Sequence, residues 1–196
     1  MIDVVPASEL GESHRRRITE VFTSGFGADF RSLSKDPQTL TDAFEHMLVL
    51  DLFYAGLVDG VPAGIAACTD GVQKSTRHDG RELRRHLGFV KGTIADFVFR
   101  SEFGGGVPDI TPGAASIEFV ATAPEYQGRG VARAILTHLL ELPDYREYVI
   151  DGVADTNVAA LRLYEKLGFT EFRRHKVRHT RVTGINHYLA LRLVQG

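Results

Sequence analysis

Gln127-Gly128-Arg129-Gly130-Val131-Ala132 stands where an apolar, β-like run ends and an amphipathic stretch begins. A helix start leaves about four backbone N–H groups without intrahelical partners, and together with the helix dipole they favour an anion. Glycines at 128 and 130 let a ligand approach the backbone with no Cβ in the way. The stretch therefore reads as a phosphate or diphosphate seat. The alternative is a tight strand-to-helix turn whose glycines serve packing alone. No Gly-Lys-Ser/Thr follows, so it is not a P-loop, and the Gly-x-Gly-x-x-Gly of dinucleotide folds is absent. Three further side chains have chemistry to offer: Glu118 on the run leading into the turn, and Asn157 and Tyr164 on the next helical stretch.

The elements that must position these groups follow from periodicity and punctuation. Residues 2–6 predict a strand ended by Pro6, and 14–22 a helix burying Ile18, Val21 and Phe22. Residues 23–33, rich in Gly and Phe, read as a loop. Asp36 as N-cap and Pro37 at the first helical position open a helix over 35–49. Asp59-Gly60 between two apolar runs predicts a β-hairpin over 52–69. Residues 71–110 read as an insertion of one or two helices, broken at Gly88 or Gly92. Then come a strand at 114–122, a helix at 128–141, a strand at 147–154, a helix over 156–169 with Gly168 at its C′ position, and two strands near 169–177 and 185–194. We read one domain over 1–196.

Composition narrows the function classes. With 43% hydrophobic and 24% charged residues, the chain has the balance of a globular protein with a core. A net charge of −2 gives no global signal for nucleic acid. The charge is uneven: 74–91 and 173–181 are basic, while 1–60 is acidic. Cys68 is the single cysteine, which rules out an intrachain disulfide and a cysteine-based zinc site. His175, His179 and His187 lack the spacing of a metal helix, and no metal is expected. The N-terminus does not read as a signal peptide, and no 18-residue apolar run predicts a membrane span. The expected setting is soluble and cytoplasmic.

Gln127-x-x-Gly130-x-Ala132, preceded by Ala123-Pro124-Glu125-Tyr126, resembles the coenzyme-A motif of the GNAT superfamily of N-acetyltransferases. "DTNVAALRLYEKLGF", with Asn157 and Tyr164, is similar to that family's second motif, and the resemblance runs from about Ile117 to Phe172. It implies an α/β fold: a mixed sheet whose two central parallel strands, here 114–122 and 147–153, splay apart, flanked by helices, with a helical insertion before the fourth strand. It implies acetyl-CoA as cosubstrate. The backbone of Val120, Ala121 and Thr122 would pair with the pantetheine arm, and the amides of Gln127, Gly128, Arg129, Gly130, Val131 and Ala132 would hold the pyrophosphate. Arg129 is either a phosphate contact or a solvated cation. Asn157 would bond the coenzyme arm while also serving as N-cap. Tyr164 would be the acid for the departing thiolate, or else a core tyrosine bonded to backbone. In water that proton transfer costs on the order of 2 kcal/mol, so the acid role requires a dry cleft.

Glu118 is the candidate base, expected by strand alternation to share a face with Val120 and Thr122; a carboxylate satisfied by a nearby cation is the alternative. Some family members use a glutamate five residues before the motif Asn, a position held here by Gly152. The segment Ser24–Phe30 would cover the acceptor. The expected activity is acetyl transfer to a primary amine, on a small molecule or a peptide, by direct attack. The other reading is a non-catalytic acyl-CoA sensor on the same fold. No nucleic-acid or membrane partner is expected. The oligomeric state is open, with a homodimer among the options.

Overall fold

The computed structural model describes residues 1–102, 110–111, 113–177 and 184–196. Strand β1 (Ile2–Pro6) leads through two 3₁₀ turns into α1 (Arg15–Gly25) and α2 (Gly27–Phe30). Helix α3 (Pro37–Phe44) starts as its sequence dictates: the Asp36 carboxylate accepts from the amides of Gln38 (3.3 Å) and Thr39 (3.1 Å), and Pro37 occupies the first turn. Strands β2 (Phe53–Val58) and β3 (Val61–Thr69) form the expected hairpin. Asp59 and Gly60 both have positive φ, 51° and 78°, as a two-residue turn matched to strand twist requires.

The insertion contributes α4 (Gly80–Leu87), capped by Asp79, and α5 (Phe89–Glu102). Of the two glycines named as breaks, Gly88 is the break. Gly92 lies inside α5, where a Cβ would sit 2.4 Å from the Arg84 Cα, so it marks where the two helices touch. Strand β4 (Ala115–Thr122), α6 (Val131–Leu140), β5 (Glu147–Ala154), α7 (Val158–Lys166), β6 (Thr170–Lys176) and β7 (His187–Val194) complete the chain. Among the described residues, no helix is long and apolar enough to cross a membrane.

The seven strands form one mixed sheet in the order β1-β2-β3-β4-β5-β7-β6. All neighbours are antiparallel except β4 and β5. Each face has its own core. Ile18, Phe22, Phe44 and Leu83 of α1, α3 and α4 pack with Phe53 and Ile65 on one face. Val131, Ile135 and Leu139 of α6, with Tyr164 of α7, pack with Ile117, Tyr148 and Leu189 on the other.

Two local expectations fail. Ser24–Phe30 is not a loop: α1 continues to Gly25 and α2 follows at once. Phe22, Phe26 and Phe30 recur every fourth residue, and their ring centroids stand 5.4 Å (22–26) and 6.4 Å (26–30) apart. That apolar spacing outweighs the two glycines. At the other end, α6 begins at Val131 rather than 128, because Gly128 (φ 74°) and Gly130 (φ 84°) are left-handed. Of the basic segment 173–181, residues 178–181 lie outside the described residues, as do 103–109 of the insertion.

Gly25 fixes how closely α1 lies on the sheet. A Cβ there would stand 2.5 Å from the Cβ of Ala121 in β4. Gly25→Val is expected to lift α1 off β4 and cost about 1–3 kcal/mol, read as a lower urea midpoint with an unchanged m-value.

Candidate active site

The central feature is where β4 and β5 part company. Their parallel pairing is confined to Ala115↔Tyr148 and Ser116↔Val149. Immediately beyond, both strands bulge. In β4, Phe119 adopts φ 53°, and the register against β3 shifts between Ile65 and Ala67. In β5, Gly152 adopts φ 74°, and the register against β7 shifts between Ile150 and Val153. A bulge bends its strand and increases local twist, so the pair opens towards the C-terminal ends. Ala123 donates to the Ala63 carbonyl at 2.9 Å, which turns Ala123 and, by alternation, Ala121 towards β3. The peptide groups of Val120 and Thr122 therefore face the gap, whereas those of Ala121 do not.

At the end of the gap, the Gly-rich turn meets the start of α6. The amides of Gly128, Gly130, Val131 and Ala132 have no acceptor among the described residues. Two of the six expected donors are engaged: Gln127 N–H bonds the Pro124 carbonyl (3.3 Å) and Arg129 N–H that of Tyr126 (3.4 Å), both long. The Gln127 side chain reaches back to the Thr122 carbonyl at 3.4 Å. The Arg129 guanidinium lies 5.3 Å from the Tyr126 ring centroid. Four amides without an acceptor among the described residues thus stand at the positive end of the α6 dipole, an arrangement that favours an anion.

From α7 come Asn157 and Tyr164. Asn157 Oδ1 caps the helix through the Ala160 amide (3.2 Å), leaving its Nδ2 hydrogens unbonded among the described residues. Tyr164 is buried in the core cluster that α6 also joins, and packs against Phe169. Its hydroxyl makes no hydrogen bond among the described residues, so the backbone-bonded core tyrosine is not what is seen. Burial pushes its phenol up to about 12.

Glu118 lies at the first level beyond the last β4–β5 pair. The bulge overturns its expected orientation. Phe119 and Ala121 join the α1 core, while Ile117 and Val120 join the α6 core. Glu118 therefore faces with Phe119, opposite to Val120. No cation pairs with it among the described residues. Its oxygens accept instead from the hydroxyls of Thr69 (3.2 Å), Ser75 (2.5 Å) and Ser116 (3.0 Å). Sequence reasoning missed these three. Ser116 and Thr69 could have been found, since Ser116 shares a strand face with Glu118 and Thr69 is the cross-strand partner of Ser116; Ser75 lies in irregular chain and carries no signal. Asp151, on β5, is tied to Arg173 at 2.7 Å. Cys68 is buried and its thiol is pushed up to about 12. A groove of about 670 Å³ lies between α1, α3 and Ala123–Glu125, lined also by Ser24, Gly27, Arg31 and Lys35.

A family model described as the acetyltransferase (GNAT) family matches residues 17–169. Mycothiol acetyltransferase of Tsukamurella paurometabola is 39% identical over 77 residues, 35% of this chain and 24% of that protein. The spore coat polysaccharide biosynthesis protein SpsD of Bacillus subtilis is 36% identical over 56 residues, 28% of this chain and 19% of that protein. The chain thus matches under a quarter of either relative's length. Among solved structures, an N-acetyltransferase from Staphylococcus aureus Mu50 superposes with a TM-score of 0.63 at 19% identity, covering 97% of this chain and 100% of that one. YncA of Salmonella typhimurium, solved with its cofactor acetyl-CoA, gives 0.58 at 15% identity, with 100% and 95% covered.

The Tyr164 environment has a measurable signature. Unfolded, a tyrosine ionises near 10; folded, Tyr164 does so at about 12. Between those values the unfolded state loses its proton first. This part of the stability is complete below pH 10 and declines as the pH rises towards 12, by about 2–3 kcal/mol. Urea melts from pH 8 to 11.5 should show a decline, to which Tyr54, Tyr145 and Tyr148 also contribute, and Tyr164→Phe should show a smaller one.

Proposed function

Because the chain belongs to the GNAT acetyltransferase family, we propose that it transfers an acetyl group from acetyl-CoA to a primary amine by direct attack, without an acetyl group on the enzyme. The observation that carries this reading is the parting of β4 and β5 beside a helix start with four unbonded amides. Unpaired backbone in a sheet calls for a partner strand or a strand-like ligand, and unpaired amides at a helix dipole call for an anion. The coenzyme offers both in one molecule, amides along its arm and a diphosphate at its end. When bound, its thioester supplies an activated acyl carbon.

The protein's part is alignment and proton movement. Val120 and Thr122 receive the arm along their free edge, and Gly128, Gly130, Val131 and Ala132 hold the diphosphate, with Arg129 beside them. Asn157 turns its free amide hydrogens towards the arm. Tyr164 gives its proton to the departing sulfur. With the buried phenol at about 12 against about 8.5 for a solvated alkyl thiol, transfer to a thiolate that stays hydrated is uphill by about 5 kcal/mol. It is feasible where the thiolate suffers the same desolvation as the phenol. Glu118 takes the proton of the amine. A cysteine thiol at about 12 is not a thiolate at neutral pH, which supports direct attack over relay through Cys68.

Only a neutral amine attacks a thioester. At pH 7.5 an α-amine is neutral in roughly a quarter of molecules, a lysine in roughly one in a thousand, so a lysine acceptor leans far harder on Glu118. The groove beside Ser24 and Gly27 offers the acceptor a route in, with Arg31 and Lys35 at its wall.

Thermal-shift measurements test the cofactor. Acetyl-CoA at a hundred times its Kd should stabilise the protein by about 2.7 kcal/mol, while ATP leaves the melting point unchanged. Tyr164→Phe should keep the shift and lose turnover. Equal shifts with ATP and acetyl-CoA would sink the reading, as would full turnover without Tyr164 for the acid role.

A further inference from the structure

Glu118 is held by hydroxyls alone among the described residues. Its Oε1 accepts from Thr69 Oγ1 (3.2 Å) and Ser116 Oγ (3.0 Å), and its Oε2 from Ser75 Oγ (2.5 Å). All three donors are buried, at 1%, 1% and 2% exposure respectively. A carboxylate has about four acceptor sites, two on each oxygen. Oε1 is filled, and Oε2 keeps one site open. The Thr69 hydroxyl is itself fixed, since its oxygen accepts from the Gly71 amide at 3.1 Å, directing its proton to Glu118.

Ser75 differs from the other two in origin. It belongs to the connection between β3 and α4, not to a strand. That connection is anchored by backbone: Val49 N–H bonds the Ser75 carbonyl (3.0 Å), Arg77 N–H bonds the Met47 carbonyl (2.7 Å), and Leu48 pairs with Thr76. The hydroxyl is thus set by the segment that precedes β2, across the chain from the strand that bears Glu118.

We propose that Ser75 is a positioning residue: by holding Oε2 of Glu118 it aims the one unfilled acceptor site of that carboxylate, and so decides where the acceptor amine delivers its proton. The inference rests on the reading of Glu118 as base. In that step the amine N–H bond breaks and an O–H bond forms on Oε2. The nitrogen pair forms the new N–C bond, and sulfur leaves with the C–S pair. With Ser75 removed, Thr69 and Ser116 still hold Oε1, but Oε2 is free to swing about it.

The test is a double-mutant cycle of Ser75→Ala and Glu118→Gln. Thiol release from acetyl-CoA is followed with whichever amine of a panel of α-amino, ε-amino and small aromatic amines gives the fastest wild-type transfer. Ser75→Ala should lower kcat about ten- to a hundred-fold, leave the KM for acetyl-CoA unchanged, and have no further effect in the Glu118→Gln background. If the alanine variant does not fold, Ser75→Cys, near in size and a weak donor, takes its place in the cycle. A kcat within two-fold of wild type, or a loss that multiplies with that of Glu118→Gln, overturns the role of Ser75 while leaving Glu118 as base. Wild-type turnover by Glu118→Gln alone overturns the base reading itself. Absence of transfer to every amine by the wild type removes both.

Discussion

Two adjacent strands that stop bonding to each other leave a row of peptide groups with no partner, and buried peptide groups without partners are costly. Here that row begins after Ser116 and Val149. The cause is local and doubled: Phe119 and Gly152 each take a left-handed conformation at the same level of the sheet. The rest of the site is arranged about the opening. The start of α6 stands at its far end, α7 brings Asn157 and Tyr164 to one side, and Glu118 occupies the other.

Of the two bulges, that in β4 is the less easily made. A bulky side chain at positive φ costs of order 1–3 kcal/mol and survives only where its surroundings over-determine it. Phe119 is so determined: its ring lies 5.3 Å from that of Phe22, 5.8 Å from Phe26 and 6.3 Å from Phe53. The close approach of α1, permitted by Gly25, brings two of those rings into place. The bulge also puts neighbouring residues on one face, which is why the Glu118 carboxylate lies on the α1 side while Val120 lies among the α6 side chains. The aromatic packing of one face thus shapes the polar opening beside it.

Much of the framework was legible because its signals are local. Asp36-Pro37 announces a helix start, Asp59-Gly60 a hairpin, and Gly128 with Gly130 a turn that leaves amides free. What escaped depends on partners distant in sequence. Nothing in "SIEFVAT" marks Phe119 as left-handed, since the stabilising rings come from residues 22, 26 and 53; strand alternation therefore misassigned Glu118. The glycines of Ser24–Phe30 suggested a loop, yet the recurrence of Phe at every fourth position carried more weight in the folded protein. Two amides counted as free, at Gln127 and Arg129, turn back on carbonyls of the short 3₁₀ turn Pro124–Tyr126, a detail set by φ and ψ rather than by residue type. Ser75 could not be found at all, because its role follows from a backbone bridge between segments that no pattern links.

The strand order carries a consequence for biosynthesis. β7 is later in the chain than every other strand, yet it is inserted between β5 and β6. A nascent polypeptide can complete the β1–β4 half while it is still being elongated. Until residue 194 clears the ribosome, β5 has only its short pairing with β4, and β6 has no neighbour at all. The β5 side of the opening is therefore completed last, by a strand that must enter between two neighbours already synthesised.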